Sequence, residues 1–127
     1  MTDCMKNIVT VMQQRGIRQI IVETAAGVGD SYDSMPLIMK WMIKYTNLKV
    51  VYADHNGQEQ VLINSDLDWT LVRPVGLNNR EEERKLAVGS YVKHSAFISR
   101  RAVAKFMVDC LETEEFIRKA PIISEKK

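Results

Sequence analysis

Hydrophobic positions along the chain recur in two rhythms, and these divide it into helices and strands. Met5, Ile8, Val9 and Met12 return at three- and four-residue spacings, which predicts a helix over residues 3–15, capped by Asp3 and stopped by Gly16. RQIIVET, residues 18–24, is a short β-rich run and predicts a buried strand. A loop follows to about Ser34. Pro36 then opens a second helix, PLIMKWMIKY, which is apolar on most sides and therefore expected to be well covered. A third helix is predicted from Asp54 to about Asn64, with Val61 and Leu62 turned inward. LDWTLVRP is the clearest strand and ends at Pro74, whereas REEERK is a solvated charge run. SYVKHSAFI alternates like a minor strand. Ser99 caps a last helix in which Val103, Phe106, Met107, Cys110 and Leu111 make one apolar stripe, and APIIS predicts a final short strand. Helices that alternate with strands imply parallel pairing through helical crossovers, so the expected class is an α/β sheet protein.

Composition narrows this to one domain over residues 1–127. A chain of that length, 46% hydrophobic and 27% charged, buries one respectable core. Eighteen basic against 16 acidic side chains are spread along it, without a stripe of Lys and Arg interleaved with aromatics. No nucleic-acid partner is therefore expected. The apolar runs are too short to span a bilayer and the N-terminus MTDCMKN lacks a signal-peptide core, so no membrane partner is expected either. Cys4 and Cys110 lie far apart in helical patterns, which suits reduced thiols and a cytoplasmic location.

The turn after the first strand, AAGVGDS, raises the question of a phosphate-binding loop. A dinucleotide loop needs Gly-x-Gly-x-x-Gly running straight into a helix. Gly27 and Gly29 fit the first two places, but Tyr32 stands in the third and the helix starts only near Pro36. No Gly-Lys-Ser/Thr follows. The glycines are expected to turn the chain rather than to cradle a phosphate.

RQIIVETAAGVGDS, VYADHNGQEQVLINSDLDWTLVRPVGLNN and ISRRAVAKFMVDCLE together resemble the C-terminal half of an atypical short-chain dehydrogenase/reductase. The similarity is to the NAD(P)H-binding group that includes NmrA-like proteins and the biliverdin reductase B type, and it covers essentially the whole chain. It implies half of a Rossmann-like doubly wound parallel sheet in three layers, α/β/α, with NADP or NAD as cofactor and a small-molecule substrate. It also implies that AAGVGDS is a substrate-side loop over the nicotinamide. The family's glycine-rich first half has no counterpart in these 127 residues, so the resemblance implies a truncated member or a fragment, weak or inactive alone.

The same resemblance assigns the candidate site. Short-chain dehydrogenases use a Ser or Thr at the end of the fourth strand and a Tyr-x-x-x-Lys on the next helix. Thr24 takes the hydroxyl place, although a Thr closing a strand also has a purely structural use. YTNLK, Tyr45 to Lys49, has the dyad's spacing, but counting back from Arg73 puts the dyad at Val51 and His55. The Tyr45–Lys49 match is treated as chance, and Tyr52 stands one residue out of register. Asp54-His55 matches the start of this helix in biliverdin reductase B-like members. His55 could bond a ribose hydroxyl or relay a proton near neutral pH, with Glu59 one turn on to orient it; the alternative is an ordinary polar residue in a first helical turn. Thr24 and His55 are thus the catalytic candidates. With them Arg73, Pro74, Val75 and Gly76 are the cofactor-binding candidates. His94 is a surface histidine on this reading, and no third partner joins Asp54, His55 and Glu59 as a metal set. A redox-sensing or interaction module of the NmrA-like kind is the alternative function, favoured by the absent tyrosine of the dyad. The resemblance removes strand one from beside strand 18–24, so Ile20, Ile21 and Val22 would lie on an unpaired edge. A homo-oligomer through that edge is expected, unless SYVKHSAFI supplies a partner strand.

Overall fold

Leu71 and Val72 are neighbours in sequence and both fully buried, because alternate residues of a strand face opposite sides of its sheet. That strand, β2 (Asp68–Pro74), is the centre of the fold. The structure, a computed structural model, describes residues 1–90 and 95–126. On one face of β2, Trp69 and Leu71 pack with Met5 and Val9 of α1 (Thr2–Arg15) and with Leu62 of α3 (Leu48–Ile63). On the other, Val72 packs with Val103 and Phe106 of α4 (Arg100–Asp109), with Cys110 at that helix's C-cap and with Ile123 of β6 (Ile122–Glu125). The result is the expected three-layer α/β/α arrangement.

The main sheet runs β1-β2-β6-β4. β1 (Gln19–Glu23) pairs with β2 in parallel, Ile20 opposite Trp69 and Val22 opposite Leu71, and β2 pairs in parallel with β6. Two features depart from the expectation of one all-parallel sheet: one in direction, the other in forming a second, parallel sheet. β4 (Leu86–Gly89) pairs antiparallel with β6, and β3 (Gly76–Asn78) joins β5 (Phe97–Ser99) in a separate two-stranded ribbon. β5 takes up the end of the alternating SYVKHSAFI stretch; residues 91–94 of it, His94 among them, lie outside the described residues. β5 takes β3 as its partner rather than β1, so among the described residues β1 stands at the sheet's edge.

The helices carry four corrections. Asp3 does not cap α1; it bonds Lys6 inside the first turn, and the N-cap position is Met1. Gly16 does stop the helix, in the left-handed conformation that glycine adopts at lowest cost. α3 begins at Leu48, six residues before the expected start, because Val50, Val51 and Tyr52 join it despite their poor helix propensity. α2 (Leu37–Tyr45) is not well covered: only Ile43 is buried, and Leu37 is 84% exposed. In α4 Ser99 caps as expected, accepting from the Ala102 N–H, but Leu111 lies beyond the helix and is exposed.

Candidate functional site

The turn that follows β1 is held down by buried charge. Thr24, at the end of the strand, is buried and donates its hydroxyl hydrogen to Glu59 Oε1 at 2.7 Å. Glu59, only 1% exposed on α3, also accepts from Arg73 Nε at 3.0 Å and from Arg73 Nη2 at 2.6 Å. Arg73 Nη1 reaches forward to Asp30. Burial by itself pulls the Arg73 pKa down; the hydrogen bonds from Glu59 and then Asp30 outweigh it, so the pKa is raised and the guanidinium stays charged. Taking two charges out of water is costly, and this bidentate geometry is what offsets it.

The two glycines are explained by close approach, Gly29 to this lock and Gly27 to the side chains beside it. A Cβ on Gly29, at φ +58°, would lie 2.6 Å from Arg73 Nη2 and 3.0 Å from Glu59 Oε2. One on Gly27, at φ +95°, would lie 3.1 Å from the Met35 side chain and from the Tyr52 ring. The turn's amides are used internally as well. Gly27 N–H donates to Ser31 Oγ at 2.8 Å and Gly29 N–H donates to Asn56 Oδ1 at 2.7 Å. A phosphate needs free, convergent N–H groups. This turn offers neither glycine amide.

Beside the turn, at the C-terminal ends of β1 and β2, lies a cleft of about 430 Å³. Thr24, Ala25 and Ala26 form one wall, Pro74, Val75, Gly76 and Leu77 another, and Met35, Met39 and Tyr52 close the third. The position follows the rule for open α/β sheets, in which ligands bind outside the carboxyl ends of the strands. The lining is mostly apolar, with Glu23, Tyr52 and Arg100 as its titratable groups. Tyr52 donates its phenol hydrogen to the Ala26 carbonyl at 3.0 Å, and burial raises its pKa above the ordinary value.

Of the residues expected from sequence, Thr24, Pro74, Val75 and Gly76 meet in this lining. They shape the cleft more than they bond across it. Val75 N–H donates to Ile123 O, Gly76 N–H donates to Ala96 O, and Pro74 O accepts from Ala26 N–H. Arg73 points instead into the buried lock. His55 is not in the lining, and its Nδ1 is buried without a hydrogen-bond partner among the described residues. Glu59 does not orient it, since both Glu59 oxygens serve Thr24 and Arg73. Tyr45 and Lys49 stay outside the cleft, and Tyr45 is 63% exposed. Sequence reasoning missed the Thr24–Glu59–Arg73 lock and the place of Tyr52. The available signal was helical spacing: Glu59 stands one turn before Leu62 on the inward face of α3.

Among the described residues no group of His, Cys, Asp and Glu could hold a metal, and no helix is long and apolar enough to cross a membrane. Curated protein sequences give no significant match. Solved structures give several. A short-chain dehydrogenase/reductase from Veillonella parvula, solved in complex with NADP, superposes with a TM-score of 0.80 at 25% identity, over 98% of this chain and 58% of that one. ChuY, an anaerobilin reductase from Escherichia coli O157:H7, gives 0.80 at 20% identity over 95% of this chain and 56% of its own. The oxidoreductase ylbE from Lactococcus lactis gives 0.78 at 13% identity over 97% and 53%. The chain thus spans just over half the length of these structures, and the two below 25% identity speak for the shared fold alone. The profile of the NAD(P)H-binding family matches residues 1–114. With the Rossmann-like sheet and the cleft at its carboxyl edge, this places the chain in the NAD(P)H-binding family.

Proposed function

We propose that this chain forms the nicotinamide and substrate side of an NAD(P)H-dependent reductase. The observation that carries the reading is the cleft itself, which brings Thr24, Val75 and Gly76 together where two parallel strands end. The cleft suits a ring by its lining: most of its walls are apolar and the Ala26, Val75 and Gly76 amides are already paired, so burial more than hydrogen bonding would hold the ring. Reduced nicotinamide, when bound, supplies the hydride. Thr24 fixes one wall through Glu59, and His55 on α3 remains the candidate relay for a proton. A substrate would face Met35, Met39 and Tyr52. The cytoplasm, where Cys4 and Cys110 stay reduced, is the compartment that suits this chemistry.

Titration of the isotopically labelled chain with NADPH tests the site. Amide shifts are expected at 24–26, 52 and 75–77 with weak affinity, because the turn's glycine amides give the diphosphate no purchase. A map centred elsewhere, or a micromolar or tighter constant, would overturn the reading. In any reductase containing this chain, Thr24→Ala and His55→Ala should slow turnover while Tyr45→Phe does not.

One observation favours the non-catalytic, NmrA-like alternative. Among the described residues no cation lowers the Tyr52 pKa; burial moves it the other way, which leaves the phenol a poor proton exchanger near neutrality. Binding of NADPH without any oxidation in the presence of flavin or tetrapyrrole acceptors would select that alternative.

We also propose that two copies associate through β1. Its outer edge carries no partner strand among the described residues, and Ile17, Val11 and Leu111 beside it are more than half exposed. Sedimentation should show a dimer at micromolar concentration. A stable monomer whose β1 amides exchange slowly would refute this.

A further inference from the structure

The helix that walls the cleft has a second, unused face. α2 turns Met39 toward the cleft and Ile43 into the core, but Leu37, Ile38, Trp41 and Tyr45 are 84, 69, 62 and 63% exposed. Positions 37, 41 and 45 follow one another at four-residue spacing, with 38 and 42 alongside, so they form one apolar stripe. α2 packs on α3 through its other side.

The charge around the stripe decides what would cover it. Between Asp33 and Asp54 the sequence contains no acidic residue and three lysines, Lys40, Lys44 and Lys49. Lys40 is held by the Asp33 carbonyl at 2.9 Å and lies over the Tyr32 ring; Lys44 is exposed with its Nζ 5.4 Å from the centre of the Tyr45 ring, and Lys49 is exposed in the first turn of α3. A protein partner is the weaker fit. Protein interfaces favour Trp and Tyr but deplete lysine and close around shaped pockets, and one nine-residue helix offers no groove. An anionic bilayer needs only what is present. It takes a short helix lying flat, aliphatic side chains in the acyl boundary, Trp and Tyr at headgroup depth and lysines reaching outward. We propose that α2 docks this chain on an anionic phospholipid surface, through Leu37, Ile38, Trp41 and Tyr45 with Lys44 and Lys49 on the headgroups. Docking would hold the Met39 wall of the cleft within about 10 Å, one helix diameter, of the lipid.

Flotation with vesicles of phosphatidylcholine, with and without phosphatidylglycerol, tests this on the chain as it stands. Trp41 is the natural reporter because the other tryptophan, Trp69, is buried. Expected are co-flotation with the anionic vesicles, a blue shift in emission that Trp41→Phe removes, and release by salt. Leu37→Ser with Trp41→Ser should weaken partitioning more than about 100-fold, as each buried apolar side chain contributes about 1.5–3 kcal/mol. Lys44→Gln with Lys49→Gln should weaken it about 30-fold, from about 1 kcal/mol per lysine. No flotation at low salt would overturn the proposal. So would equal binding to pure phosphatidylcholine with the lysine variant unaffected. A dimer in sedimentation that Leu37→Ser with Trp41→Ser dissolves would overturn it too, by naming a second copy as the occupant.

Discussion

Residues 24–34 and 37–45 adjoin in the chain and obey opposite rules of burial. The turn is rich in polar residues, yet Thr24 and Ser31 are buried and the segment rests on Glu59 and Arg73, which are 1% and 4% exposed. The helix after it is almost wholly apolar, yet it leaves Leu37 and Trp41 in the open. Polarity therefore does not report depth here. Charges go inside where partners with complementary geometry meet them, and apolar side chains stay outside where no second layer reaches them. The turn shapes one wall of the cleft and the helix another, so the cleft joins a rigid side to a side whose outer face is free.

The largest effect should come from breaking the lock. Glu59→Ala leaves Arg73 buried with one of its two carboxylates and Thr24 without an acceptor, so it should cost about 3–5 kcal/mol in urea unfolding. A loss under about 1 kcal/mol would show that the turn does not depend on the lock. Next comes the close approach at Gly29. Gly16 and Gly29 have similar left-handed φ values, +69° and +58°, but a Cβ at Gly16 meets open space. Gly16→Ala should cost about 1 kcal/mol, the price of the conformation alone. Gly29→Ala should cost about 1–3 kcal/mol more, as overpacking does. Equal losses would refute the contact with Arg73.

On the helix the same depth of change should do little. Leu37→Ser and Trp41→Ser should each alter stability by no more than about 0.5 kcal/mol, as surface substitutions do. A loss of 2 kcal/mol or more in either would mean that α2 is covered. The smallest effect concerns α3, on which both segments lean. Asp54 accepts from the Thr2 backbone N–H at 3.0 Å and from the Thr2 hydroxyl at 2.8 Å. These bonds, the backbone one first, lower its pKa from 3.8 to about 2. The folded value lies below the unfolded one, so the tie between α1 and α3 is fully present above about pH 4 and is lost as pH falls toward 2. Amide shifts of Thr2 should titrate in that window, and Asp54→Asn should abolish the titration.

The sequence by itself determined the elements whose signal is local. Met5 and Val9 in α1, the strand LDWTLVRP ending at Pro74 and the Ser99 cap each depend on neighbours a few residues away, and each stands where the pattern put it; β1 forms where expected too, but only partly buried. The resemblance in VYADHNGQEQVLINSDLDWTLVRP likewise gave the family, and the gathering of Thr24, Pro74, Val75 and Gly76 follows from the strand ends that carry them. Only the tertiary structure decided the rest. Thr24 meets Glu59 across 35 residues, Arg73 meets Asp30 across 43, and β4 finds β6 in antiparallel register. Nothing within one turn or one strand of Glu59 marks its partners. The exposure of Leu37 and Trp41 was equally hidden, because a helical pattern states which residues share a face but not whether another layer arrives to cover it.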